Sequence, residues 1–189
     1  ADLVTSTPRQ IALIRAIENP LPGLMIAGRA VANVLRAHYR EKHAKEPNKL
    51  GGTRQNYWLG VRHSVNNPKP SGAAQVTVSI SHPSIMQKIK GGTITAKRVR
   101  MLTIPVDKEA YGRRASVLER ALNIKLFVIE QDGKAFLAGR SDSAAPLRVF
   151  YVLKRSVNQK PDPTALPPEQ TIRETATKAF SDWVLRTAK

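Results

Sequence analysis

Lys125-Leu126-Phe127-Val128-Ile129-Glu130-Gln131-Asp132-Gly133-Lys134-Ala135-Phe136-Leu137-Ala138 is the stretch on which the fold turns. Two β-prone runs, residues 125–130 and 135–138, flank Asp132-Gly133, and Asp-Gly favours the two-residue turn whose twist matches that of paired strands. The stretch predicts an antiparallel hairpin. On either side of it, residues 148–155 read as a further strand with Val149, Tyr151 and Leu153 on one face, and residues 115–122 as a short helix. Residues 75–81 alternate strictly, Val76, Val78 and Ile80 against Thr77, Ser79 and Ser81, as a half-buried strand requires.

Helical periodicity dominates toward the ends. Thr7-Pro8 offers an N-cap and a first-turn proline for a short helix carrying Ile11, Ile14 and Ile17. From Gly23 to about Ala44 a longer amphipathic pattern sets Ile26, Ala30, Val34, Leu35, His38 and Tyr39 against Arg29, Asn33, Arg36, Arg40 and Lys42. Thr53 is expected to cap a short helix bearing Tyr57, Trp58 and Val61, and residues 66–72, with two prolines, are expected to turn. Residues 156–168 hold four prolines and read as an extended arm. Beyond it, Ile172, Ala176, Ala179, Phe180, Trp183 and Val184 recur at helical steps. The chain is expected to be α+β: an antiparallel sheet with an N-terminal amphipathic helix packed on it, and a C-terminal helix on a Pro-rich arm. The expected division is an N-terminal arm (1–22), an α+β core (23–155), and the arm with its helix (156–189).

Lys and Arg number 31 against 14 Asp and Glu, a net charge of +17, which attracts polyanions or acidic protein surfaces. Between Glu46 and Asp107 there is no acid at all, while nine Lys and Arg side chains fall in that interval. At its centre, residues 82–105 hold Lys88, Lys90, Lys97, Arg98 and Arg100, with Gly91-Gly92 free to turn through positive φ. Pro83 is placed to open a helical turn bearing Ile85, Met86 and Ile89. Residues 93–95 and 101–106 are expected to pair as a hairpin whose tip carries Lys97, Arg98 and Arg100. All five cations are expected to face DNA phosphates or an acidic partner.

No cysteine is present, which excludes disulfides, thiolate metal sites and a cysteine nucleophile. His38 and His43, five residues apart, point to different sides of a helix, so no metal site is expected. No phosphate-cradling glycine motif and no nucleophile elbow occurs. Asp107 and Glu109 read as a solvated turn. No enzyme activity, cofactor or small-molecule substrate is expected. No apolar run approaches the roughly 20 residues of a membrane span, so no membrane partner is expected, and the chain reads as a soluble protein made in a cytoplasm. In the last helix, Ile172, Phe180 and Trp183 either complete this chain's own core or are carried by the arm to an oligomer interface.

Three matches carry a family resemblance: the helix from Ala27 to Tyr39 leading into a basic loop; His82-Pro83 through Lys90-Gly91-Gly92-Thr93-Ile94, followed by Leu102-Thr103-Ile104-Pro105; and Leu166-Pro167-Pro168 before a terminal helix. Together these residues resemble the virion morphogenesis and tail-completion proteins of long-tailed bacteriophages and Mu-like prophages. The chain departs from that pattern in the short helix at its start and in the length of the hairpin up to Gly139. The resemblance implies a structural neck or tail protein of the virion. It would be a homo-oligomeric ring, expected to be six-fold, that contacts other phage neck and tail proteins while DNA passes through its opening. It also implies localisation to the virion after assembly in the host cytoplasm. A non-specific DNA-binding or packaging accessory protein is the alternative.

Overall fold

In the computed structural model, which describes residues 7–46, 49–51, 56–141 and 145–187, helices α1 (Pro8–Glu18), α2 (Leu21–Lys45) and α3 (Tyr57–His63) come first. A ribbon of β1 (Lys69–Gly72) and β2 (Gln75–Thr77) and helix α4 (Ile85–Lys90) lead to β3 (Gly92–Thr95) and β4 (Leu102–Pro105). Helix α5 (Ala115–Leu122), β5 (Phe127–Gln131), β6 (Lys134–Gly139), β7 (Arg148–Lys154), β8 (Ser156–Gln159) and α6 (Glu169–Thr187) follow. The chain is α+β, its sheets antiparallel, with helices early and late in the sequence. Contacts divide it into one unit of Ala1–Ala44, Tyr57–Ile89 and Asp162–Lys189, and a second of Lys45–Asn56 and Lys90–Pro161. These cuts fall elsewhere than at residues 22 and 155: α1 and α2 share the first unit, and the Pro-rich segment is divided between Pro161 and Asp162.

In the first unit, α1 begins with the expected cap. The Thr7 amide donates to Gln10 Oε1 at 2.7 Å and the Gln10 amide to Thr7 Oγ1 at 3.3 Å, a reciprocal box that satisfies two otherwise orphaned donors. Ile11, Ile14 and Ile17 nonetheless lie outward, 41%, 50% and 71% exposed, while Ala16 is buried. A three-residue step falls short of one turn, so that row drifts around the helix away from the buried side. Helix α2 buries Ala32, Leu35 and Tyr39 against Trp58 and Val61 of α3, together with Val65, Ile85 and Ala165. Thr53, the expected cap of α3, lies outside the described residues.

The long strand expected over residues 75–81 is cut short, and the expected turn at 66–72 contains strand β1. Lys69 pairs with Thr77 and, further along, Val65 with Ile80. Two residues, Asn67 and Pro68, therefore face the single Val78. Pro68 has no N–H to continue the ladder, which divides the pairing at that point. Pro68 is used in packing: it and Val76 lie where a Cβ on Gly28 of α2 would collide with them.

In the second unit, the four-stranded sheet runs in the order β4-β7-β6-β5. Asp132 and Gly133 have φ of 51° and 68°, the positive values that the Asp-Gly turn requires, and β5 and β6 pair across it with Ile129 opposite Phe136. On β7 the expected alternation is broken. The register shifts so that Tyr151 faces Leu137 and Val149 faces Ala138, a bulge that leaves Phe150 and Tyr151 consecutive and both buried. Both join Leu118 and Ala110 in one apolar cluster, with Leu122 and Leu137 packed against it, so α5 covers one face of the sheet. Asp107 and Glu109, expected to be solvated, flank Arg148: its Nε and Nη2 donate to Asp107 at 2.9 and 3.0 Å, and Nη1 lies 3.4 Å from Glu109.

Candidate polyanion-facing surface

The strands on either side of the basic loop form, but they do not pair with each other. β3 pairs with β8, Thr95 opposite Ser156, and β4 pairs with β7, Leu102 opposite Lys154. The expected hairpin is thus replaced by a different device. Because β7 and β8 are separated only by Arg155, residues 92–105 lie antiparallel to a nearly continuous partner, and residues 96–101 are extruded opposite that one residue. Partner strands late in the sequence outcompete the local closure because they offer ladder bonds on both sides of the loop. The base of the loop is pinned where the Ala96 amide donates to the Arg155 carbonyl at 3.0 Å.

Lys97, Arg98 and Arg100 occupy this loop and are exposed, and among the described residues none of them has an ion-pair partner. Val99, between them, is 62% exposed, so it does not draw the tip of the loop inward. The other two expected cations lie apart from it in the chain. Lys90 ends α4 and is exposed. Lys88 belongs to the first unit and is half-buried, its Nζ 5.7 Å from the centre of the Tyr57 ring.

Beside the loop, within the second unit, a shallow groove of about 790 Å³ crosses the sheet, lined by Met101, Ile104, Phe136, Val152, Lys134 and Lys154, with Arg155 at its edge. The register explains the lining. Ile104 lies opposite Val152 and Val152 opposite Phe136, so these three share one face, and Lys154 and Lys134, two residues along, share it too. Tyr151 and Leu137, one residue off, point to the face that α5 covers. Lys134, Lys154 and Arg155 were legible in sequence only as scattered surface charges, since their convergence depends on the β6–β7 register.

The Pro-rich arm ends on this chain's own helix α2. Asp162 Oδ1 accepts from the Thr164 amide and hydroxyl at 2.9 and 2.7 Å. Lys42 Nζ donates to Thr164 Oγ1 at 2.6 Å and lies 3.4 Å from Asp162. His38 Nε2 donates to the Thr164 carbonyl at 3.0 Å, and Ala165 is fully buried beyond it. Lys42, assigned by its pattern to the polar side of α2, is buried and lies 4.4 Å over the Trp58 ring. The Asp-x-Thr spacing was the available signal. In α6, Ile172, Phe180 and Trp183 are half-buried, with the Phe180 and Trp183 rings 5.6 Å apart. Trp183 packs against Gly23 so closely that a Cβ there would overlap its ring, so part of this residue's surface is spent inside the first unit. Among the described residues no three His, Asp or Glu side chains converge to hold a metal ion, and no helix is long and apolar enough to cross a membrane.

Comparison with protein-family models, with curated proteins and with solved structures finds no match.

Proposed function

We propose that this chain is a structural virion protein of a phage head–tail neck, a non-catalytic tail-completion or tail-terminator ring subunit that turns a basic loop toward DNA passing through the ring. The observation that carries this reading is the extruded loop of residues 96–101: three cations without acidic partners among the described residues, pinned at the base and presented by two strand pairs. Assembly into a homo-oligomer is supported by the outward row of Ile11, Ile14 and Ile17 on α1 together with Leu185 on α6, apolar surface that a neighbouring subunit would cover. Ile172, Phe180 and Trp183 remain candidate interface positions through the part of their surface left exposed.

The exposure of the loop cations also favours a second reading, a non-specific DNA-binding or packaging accessory protein that acts as a monomer. Sedimentation followed by filter binding to duplex DNA separates the two. The ring reading predicts salt-dependent retention by the assembled fraction and negligible retention by monomer. Replacing Lys97, Arg98 and Arg100 by Ala should lower the slope of log K against log salt by roughly three, about 0.9 for each phosphate no longer neutralised. Tight binding by monomer would favour the accessory protein, and an unchanged slope would remove the loop from either account.

A further inference from the structure

We propose that the groove on the face of the four-stranded sheet opposite α5 binds an acidic, apolar segment of a partner protein in extended conformation. This goes beyond the ring reading and stands on the groove alone, whether or not the chain assembles. Its floor is Ile104, Phe136 and Val152, held side by side by the β4–β7–β6 register, each half-buried. Among the described residues, its rim is Lys134, Lys154 and Arg155, none of which has an ion-pair partner, and Glu130 is the one acid in the lining. Three cations against one carboxylate around an apolar strip select a ligand with acidic edges and an apolar face. At about 790 Å³ the groove has room for several side chains.

The chemistry of the floor chooses between the polyanions that such a rim attracts. Single-stranded nucleic acid is held by stacking successive bases on aromatic rings, and the floor offers one ring, Phe136, flanked by aliphatic side chains. Aliphatic surface instead suits Leu, Ile or Val from a peptide, whose alternating residues are spaced to place every second side chain on the floor and the intervening acids at the rim. The loop cations Lys97, Arg98 and Arg100 are not needed for this, although Met101 places the end of the loop at the groove.

The test is a titration of the full, isotope-labelled chain, followed by backbone amide chemical shifts. The probes are a short peptide alternating Leu and Glu, its Leu/Lys counterpart, polyglutamate and oligo(dT). The Leu/Glu peptide should shift the amides of Ile104, Phe136 and Val152 saturably, and the Lys134→Glu/Lys154→Glu variant should weaken it by about tenfold or more, since each site then repels the ligand. Both lysines are exposed, and a dispersed spectrum of the variant verifies its fold; Lys154→Glu alone serves if the pair does not fold. The Lys97→Ala/Arg98→Ala/Arg100→Ala variant should bind the peptide as the parent does. Polyglutamate or oligo(dT) binding as tightly as the Leu/Glu peptide would overturn the proposal, because the floor would then contribute nothing. So would the absence of saturable shifts, or the same shifts on raising the concentration of protein alone, which would assign the groove to a second copy.

Discussion

The Tyr39 hydroxyl is enclosed in the first unit without a hydrogen-bond partner among the described residues, while its ring stacks on Trp58 with centroids 5.8 Å apart. Burial pushes its pKa up to about 12, and the neighbouring Tyr57 adds to the shift. An unpaired buried hydroxyl costs free energy that its ring does not, so Tyr39→Phe should raise stability by about 1 kcal/mol in a urea titration. A loss of stability would mean that the hydroxyl is bonded in solution. Asp162 behaves in the opposite sense. Burial alone would raise its pKa, but the two bonds from Thr164 and the nearby Lys42 ammonium outweigh burial and hold it below the ordinary 3.8. A depressed carboxylate contributes stability that is complete above its unfolded pKa and is lost as pH falls through the folded one. Acidification below about pH 4 should therefore release this part of the arm's attachment to α2. Asp162→Asn should flatten that acid-side slope, and an unchanged slope would show that the contact does not couple to folding.

At the scale of elements, the hinge before β3 depends on backbone that only glycine adopts at ease. Gly91 has φ of 68°, and a Cβ there would come within 2.6 Å of the Gln159 carbonyl oxygen and 2.7 Å of the Pro161 nitrogen. Gly91→Ala should therefore cost about 1–3 kcal/mol and loosen the β3–β8 pair, measurable as faster amide exchange at Thr93 and Asn158. Unchanged exchange would mean that the hinge tolerates a side chain. Elements written by neighbouring residues were legible in the sequence: the Thr7 cap with Pro8 after it, the Asp132-Gly133 turn and helix α5 each depend on a few adjacent positions. The pairing of β3 with β8 and β4 with β7 was not, because a four-residue strand does not encode which distant edge it will join. Similarly, the five basic residues were visible as a cluster in sequence, but the groove cations were not, since they meet only through the sheet register. Lys42 was misplaced because a lysine beside the buried face reads as polar until Asp162 and Thr164 arrive to pair with it.

Across the whole molecule, a net charge of +17 opposes the close approach of like copies, so an assembly of this chain needs apolar contacts, an anion, or both. Under the proposed function the outward isoleucines of α1 would supply the first and DNA at the extruded loops the second. These are then two requirements of one object, a ring held by subunit contacts with its basic loops turned to a polyanion. Negative-stain electron microscopy of the full chain, with and without duplex DNA, tests that claim most directly. Closed rings with a central opening are expected, persisting when Lys97, Arg98 and Arg100 are replaced by Ala and lost when Ile14 and Ile17 are replaced by Gln. Particles that remain single chains at every concentration, with and without DNA, would contradict it.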